Sequence, residues 1–293
     1  MSFDFTGAGV ALITPFKSNF EIDFDALGRI VDNQIAGGMD FLVALGTTAE
    51  TSTLSEDEKK QVVDFVRERA AGKLPVVVGM GGNDTRTMAK KLADFDTTGI
   101  DGFLIVTPYY NKPNQEGLYR HYMELADASP LPIILYNVPT RTGINMEAET
   151  VIRLAEASEK FAAVKEASGT HSQITRIAKY TPPRFKVISG DDVLAITIMA
   201  IGGDGIISVI ANALPAKLAS LIHHCQKGDF AEARKVHYEL IELFRLQFQD
   251  GNPAGVKTML NHFGVIENVL RLPLVPANGL TQNMIVEELK KLS

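Results

Sequence analysis

Phe161-Ala162-Ala163-Val164-Lys165-Glu166-Ala167-Ser168-Gly169 reads as a short buried strand that ends in a lysine. Four apolar residues lead straight into Lys165, and Ser168-Gly169 break the pattern after it. A lysine is almost never fully buried without a partner or a purpose. Burial disfavours an ammonium, and the neutral amine is the form that attacks a ketone to give a Schiff base. Alone, these nine residues also fit a strand-end lysine that snorkels to solvent. The rest of the chain decides between the two.

Seven similar runs accompany this one. Together they lie at residues 9–15, 40–45, 75–79, 102–106, 132–136, 161–165, 185–189 and 205–209. They are rich in Val, Ile and Leu and mostly do not alternate with polar residues, as strands covered on both faces do not. Helical patterns separate them. Ser55 with Glu58 forms a capping box, followed by Val62, Phe65, Val66 and Ala70 on one face and a stop at Gly72. Residues 84–98, 115–128 and 146–158 read as further helices. Eight strands alternating with helices, joined by right-handed crossovers, predict a (β/α)8 TIM barrel. A doubly wound open sheet is disfavoured, because Pro15-Phe16-Lys17 replaces the glycine-rich turn such a sheet carries after its first strand. Four more helices are predicted at 215–227, 229–249, 254–263 and 281–292. The expected division is a barrel over residues 1–227 and a C-terminal helical extension over 228–293, read as an oligomer contact.

Composition narrows the classes. The chain has 293 residues, 45% of them apolar, and a net charge of −6 without a block of like charges. Nothing points to nucleic acid or an anionic membrane. No run is long enough to span a bilayer, and Met1-Ser2-Phe3-Asp4-Phe5 lacks the features of a secretory leader, so a cytoplasmic location is expected. The single cysteine, Cys225, sits on an apolar helical pattern as a core residue. Gly79-Met80-Gly81-Gly82-Asn83 reads as a strand-end turn rather than a phosphate loop, since no Gly-Lys-Ser/Thr follows. The six histidines show no metal-ligand spacing, so no metal is expected.

In such a barrel chemistry sits at the C-terminal ends of the strands. There the chain places Gly46-Thr47-Thr48-Ala49-Glu50, Tyr109-Tyr110-Asn111-Lys112-Pro113, Tyr136-Asn137-Val138-Pro139-Thr140-Arg141, Lys165, Gly190-Asp191-Asp192 and Ile207-Ser208. Their joint placement turns the reading of Lys165 toward a nucleophile. Tyr136, one strand over, is suited to carry protons to and from a carbinolamine, with Thr47 and Tyr110 as a hydroxyl relay, because a phenol alone is a poor base. The Thr47-Thr48 turn presents backbone N–H groups suited to a small carboxylate. Arg141 offers a planar fork for a second carboxylate, unless it pairs with Glu50. An amine for a ketone and anchors for two carboxylates suggest a 2-oxo acid condensing with an acidic carbonyl compound.

From residue 5 to about residue 276 these motifs resemble the pyruvate-dependent class I aldolases, the family of N-acetylneuraminate lyase. The resemblance implies a lyase that holds pyruvate as a Schiff base on Lys165 and needs no cofactor. Arg141 in the Tyr-Asn-x-Pro-x-Arg pattern implies the branch that condenses pyruvate with L-aspartate-4-semialdehyde in diaminopimelate and lysine biosynthesis. A lyase for a sugar acid, or a non-catalytic pyruvate-sensing barrel, is the competing reading. The resemblance further implies Tyr136, Thr47 and Tyr110 as the proton relay, with Tyr110 supplied by a neighbouring subunit. It implies Thr48, Arg141, Ile207 and Gly190 at the substrates, and a homotetramer built as a dimer of dimers. Asn83 and Tyr109 match an effector site for lysine. Glu56, Lys59 and Thr87 depart from the residues of lysine-sensitive members, so weak or absent feedback inhibition is expected. Ala49 stands where the family has glycine, and 252–257 lacks the family's second proline.

Overall fold

The computed structural model describes residues 4–292; Met1, Ser2 and Phe3, part of the terminus read above for a leader, lie outside them, as does Ser293. Eight strands form: β1 (Gly7–Ala11), β2 (Phe41–Ala44), β3 (Val76–Met80), β4 (Gly102–Val106), β5 (Ile133–Asn137), β6 (Phe161–Glu166), β7 (Lys186–Ser189) and β8 (Gly205–Ser208). Each pairs in parallel with the next, and β8 closes on β1. This is the (β/α)8 barrel that the alternating pattern predicts.

The helices are α1 (Phe24–Ala36), α2 (Glu56–Ala70), α3 (Thr85–Ala93), α4 (Gln115–Ala128), α5 (Pro139–Thr142), α6 (Ala148–Ala157), α7 (His171–Tyr180), α8 (Ala195–Ala200), α9 (Pro215–Gln226), α10 (Phe230–Gln249), α11 (Ala254–His262) and α12 (Gly279–Lys290). Their starts follow local chemistry. Ser55 and Glu58 make both bonds of the capping box that opens α2, at 3.1 and 2.9 Å. Beyond α9, α10 lies against α8 and α9, and α11 and α12 pack on α10 and on each other.

Strand alternation divides the apolar residues into two layers. Outward residues such as Val10, Leu42, Val164 and Ile206 pack beneath the helices. Inward residues, among them Phe41, Val43, Leu104, Ile134, Ala163 and Ile207, fill the barrel. Gly9 makes room for the largest of these: a Cβ there would lie 2.2 Å from the Phe41 ring.

Two element boundaries differ from the sequence reading by four residues or more. β1 occupies residues 7–11 rather than 9–15. The apolar run continues past the strand as buried irregular chain, with Leu12 N bonded to Val43 O at 3.0 Å and Ile13 N to Asn212 Oδ1 at 3.0 Å. Burial therefore outlasts the strand and hides its end. α3 ends at Ala93 rather than near residue 98. Asp96 draws Thr98 N and Arg67 into side-chain hydrogen bonds, an alternative to continuing the helix. Phe95, off the helix, still packs edge-on against Phe103 at 5.2 Å, which keeps it in the apolar pattern.

Candidate active site

Lys165 follows Ala163 by two residues on β6, so both face the barrel interior. Tyr136 follows Ile134 on β5 in the same way. The β5–β6 register pairs Tyr136 with Lys165, and Lys165 Nζ lies 4.5 Å from the centre of the phenol ring. Lys165 is 5% and Tyr136 7% exposed. Among the described residues no carboxylate pairs with Lys165. Its chain neighbour Glu166 faces outward, where it accepts hydrogen bonds from Asn137 Nδ2 at 3.1 Å, Gln173 Nε2 at 2.9 Å and Ser168 N at 2.7 Å. A buried amine without an acid partner is free to act as a nucleophile.

The surroundings leave space above that amine. A Cβ at Gly190 would lie 3.2 Å from Lys165 Cε and 2.7 Å from Ala167 Cβ. Ile188 pairs with Lys165 on the other side, and Ile207 is fully buried in the interior layer.

After β2 the chain turns sharply through Leu45 and Glu50, both left-handed at φ 56° and 53°. Between them Thr47, Thr48 and Ala49 form one 3-10 turn. Its first N–H groups have no acceptor within the turn. Ala49 is not the left-handed residue; that conformation falls on Glu50, so alanine in place of the family's glycine is accommodated. Thr47 lines a cavity of about 270 Å³ together with Tyr136, Leu104, Val106 and Tyr109. Thr48 is buried, and its hydroxyl accepts a hydrogen bond from Asn252 Nδ2 at 3.0 Å.

Tyr110, Asn83 and Arg141 lie outside this cavity. Tyr110 is 89% exposed on a left-handed backbone at φ 72°, so its hydroxyl takes no part in this protomer's own cavity. Asn83 donates from Nδ2 to the Tyr109 carbonyl at 3.2 Å, and Asn111 bonds back to the Asn83 carbonyl at 2.8 Å, which joins the two residues expected at an effector site. Arg141 sits on the short α5 that follows β5 and is exposed, with no ion pair among the described residues. It does not pair with Glu50, whose carboxylate is taken by Lys257 at 2.5 Å.

Sequence reasoning gave no role to two buried groups beside the mouth. Asp192 accepts from Ser208 Oγ at 2.5 Å, Gln247 Nε2 at 2.8 Å and the backbone N–H groups of Val209 and Ile210. Burial raises its carboxyl above the ordinary range against those donors. Asp191 is raised as well, by burial and then by the Asp192 charge. Lys257 was passed over too, although a lone cation in Gly255-Val256-Lys257-Thr258-Met259 was a readable signal of a buried charge.

A closed barrel with an unpaired amine and a phenol at the C-terminal end of adjacent strands defines an enzyme of the aldolase-type lyase class. Comparison with known proteins narrows it. Residues 4–292 match the model of the Dihydrodipicolinate synthetase family. A 4-hydroxy-tetrahydrodipicolinate synthase of Parabacteroides distasonis is 52% identical over 287 residues, covering 98% of this chain and 97% of that protein. The dihydrodipicolinate synthase of Thermotoga maritima superposes with a TM-score of 0.96 at 41% identity, covering 99% of each chain. That of Acinetobacter baumannii, solved in complex with pyruvate, superposes at 0.94 with 36% identity, covering 97% of this chain and 98% of that one. The chain belongs to the dihydrodipicolinate synthetase family, and its activity is that of a 4-hydroxy-tetrahydrodipicolinate synthase.

Gly190→Ala tests the space above the amine. The expected protein folds but loses about tenfold or more in kcat with pyruvate, the equivalent of about 1.4 kcal/mol of barrier. Steady-state kinetics beside a thermal melt check this.

Proposed function

We propose that Lys165 carries pyruvate as a Schiff base and that the resulting enamine attacks the aldehyde of L-aspartate-4-semialdehyde. The observation that carries this reading is the buried, acid-free Lys165 amine in register with Tyr136. The amine adds to the ketone carbon of pyruvate. Tyr136 passes the protons by which the carbinolamine loses water to an iminium, and loss of a methyl proton then gives the enamine. The enamine carbon bonds to the aldehyde carbon, whose oxygen takes a proton. Attack by the semialdehyde's own amino group on the iminium carbon closes the ring and releases Lys165. The covalent link to the protein does the work of an electron sink, so the reading calls for no metal or other cofactor.

The anchors support the same pair of substrates. The N–H groups opening the Thr47-Thr48 turn suit the pyruvyl carboxylate, and the free guanidinium of Arg141 at the rim suits the carboxylate of the semialdehyde. Ile207 and Gly190 frame the Schiff base. Tyr110 completes the relay with Thr47 only from a second copy. Its exposure and left-handed backbone accord with a residue held for a partner, within a dimer of dimers. No described helix is long and apolar enough to cross a membrane, and the reading places the reaction in the cytoplasm.

The effector region favours weak lysine control. Thr87 donates its hydroxyl to Asp84, while Glu56 is engaged by Lys59 at 2.7 Å and Lys91 at 3.2 Å. No free carboxylate among these residues faces Asn83 and Tyr109 to receive an effector's ammonium, and Lys59 repels it.

Three measurements follow. Turnover is expected with pyruvate plus aspartate semialdehyde and absent with N-acetylmannosamine. Arg141→Ala is expected to raise KM for the semialdehyde about 10- to 100-fold, as loss of a charge-assisted bond does, with KM for pyruvate little changed; the opposite split assigns Arg141 elsewhere. Titration with lysine is expected to give half-inhibition above about 1 mM, a weak affinity by the usual scale. Inhibition well below that refutes the effector reading.

A further inference from the structure

The stretch Asn252-Pro253-Ala254-Gly255-Val256-Lys257 had no task in the sequence reading, yet it supplies two buried contacts to the Thr47-Glu50 turn. Lys257 Nζ lies 2.5 Å from Glu50 Oε1 and 2.9 Å from the Val269 carbonyl, and the side chains of the ion pair are both 0% exposed. The other Glu50 oxygen accepts from Arg271 N at 3.0 Å. Asn252 Nδ2 holds the Thr48 hydroxyl at 3.0 Å. The side-chain bonds of Thr48 and Glu50 therefore all run to residues 252–271, in the C-terminal extension.

The turn needs such support. Leu45 and Glu50 are both left-handed without being glycine, and such positions persist only where their surroundings over-determine them. Thr51 bonds to the Leu45 and Gly46 carbonyls and Thr14 to that of Ala49, so the near side of the turn is fixed by its own neighbours. Thr53 bonds to the Glu50 carbonyl, while the side chains of the far side are held by the extension. The ion pair is also a costly way to fill space. Burial brings the Lys257 ammonium down to about 8, against the charge and hydrogen bond of Glu50. A neutral apolar pair would fill the same volume with less desolvation. What the charges add is a fixed direction for Glu50.

We propose that Lys257 and Asn252 are positioning residues for the keto acid: they hold Glu50 and Thr48 so that the first N–H groups of the turn face the barrel mouth at the spacing a carboxylate requires. This rests on the reading of that turn as the pyruvyl anchor. Neither residue touches substrate. Each acts through the turn, and the C-terminal extension thereby becomes part of the pyruvate site.

The test is borohydride trapping over a pyruvate titration, with the reduced adduct on Lys165 read by mass spectrometry. The paired variant Glu50→Gln/Lys257→Met removes both charges together, so neither is left buried alone. Asn252→Ala is the milder companion. Half-saturating pyruvate is expected to rise about tenfold in the paired variant and about threefold in Asn252→Ala, as loss of fixed hydrogen bonds implies. Adduct yield at saturating pyruvate should match wild type. A lower melting temperature with half-saturation unchanged within about twofold would mark a structural brace and overturn the proposal. If the paired variant does not fold, Asn252→Ala decides by the same criterion. Absence of any adduct in wild type would instead overturn the Schiff-base reading, and this proposal with it.

Discussion

The register that sets Tyr136 against Lys165 is the contact on which the proposed chemistry depends. Successive residues of a strand face opposite sides, so the choice that turns Lys165 into the barrel turns Glu166 out of it. A slip of one residue would put the carboxylate inside and the amine among the helices. Both faces of β6 resist that slip. Inside, Ala163 is small enough for the crowded interior layer. Outside, Glu166 is bound by Asn137, Gln173 and Ser168, and Asn137 is tied in turn to Met146 N at 2.9 Å. The hydrogen bonds on the outer face keep the adjacent acid, Glu166, away from the amine.

The barrel supplies the same economy elsewhere. Glycine is used where the interior would otherwise be overfilled: beneath Phe41 at Gly9, and above Lys165 at Gly190. The mouth is finished by segments far apart in sequence. Asp192 joins the loop after β7 to Ser208 at the end of β8 and to Gln247 on α10, so one buried carboxylate holds barrel and extension together. The chain after α9 is thus packed on the barrel's helices and bonded to its catalytic face as well.

Most of the architecture was legible because it is written in local patterns. Eight apolar runs, the capping box at Ser55 and Glu58, and the apolar face of α2 each announce themselves within a few residues. The boundaries that misled did so for a physical reason. Leu12 to Pro15 stay buried after β1 ends, and Phe95 stays apolar after α3 ends. Lys165, Tyr136 and Thr47 could be read because a barrel gathers its strand ends at one mouth. The partners of Glu50 and Thr48 could not, since their bonds span some two hundred residues and leave no periodic trace. Pairing of Arg141 with Glu50 was the alternative that charge alone allowed, and the structure gives Glu50 to Lys257.

The most direct measurement is to incubate the protein with isotopically labelled pyruvate, reduce with borohydride and map the label by peptide. Label on Lys165, and none on a folded Lys165→Ala variant, is the expected result. Label on another lysine, or turnover of pyruvate with aspartate semialdehyde that persists in Lys165→Ala, would contradict the assignment of the buried amine as the covalent centre.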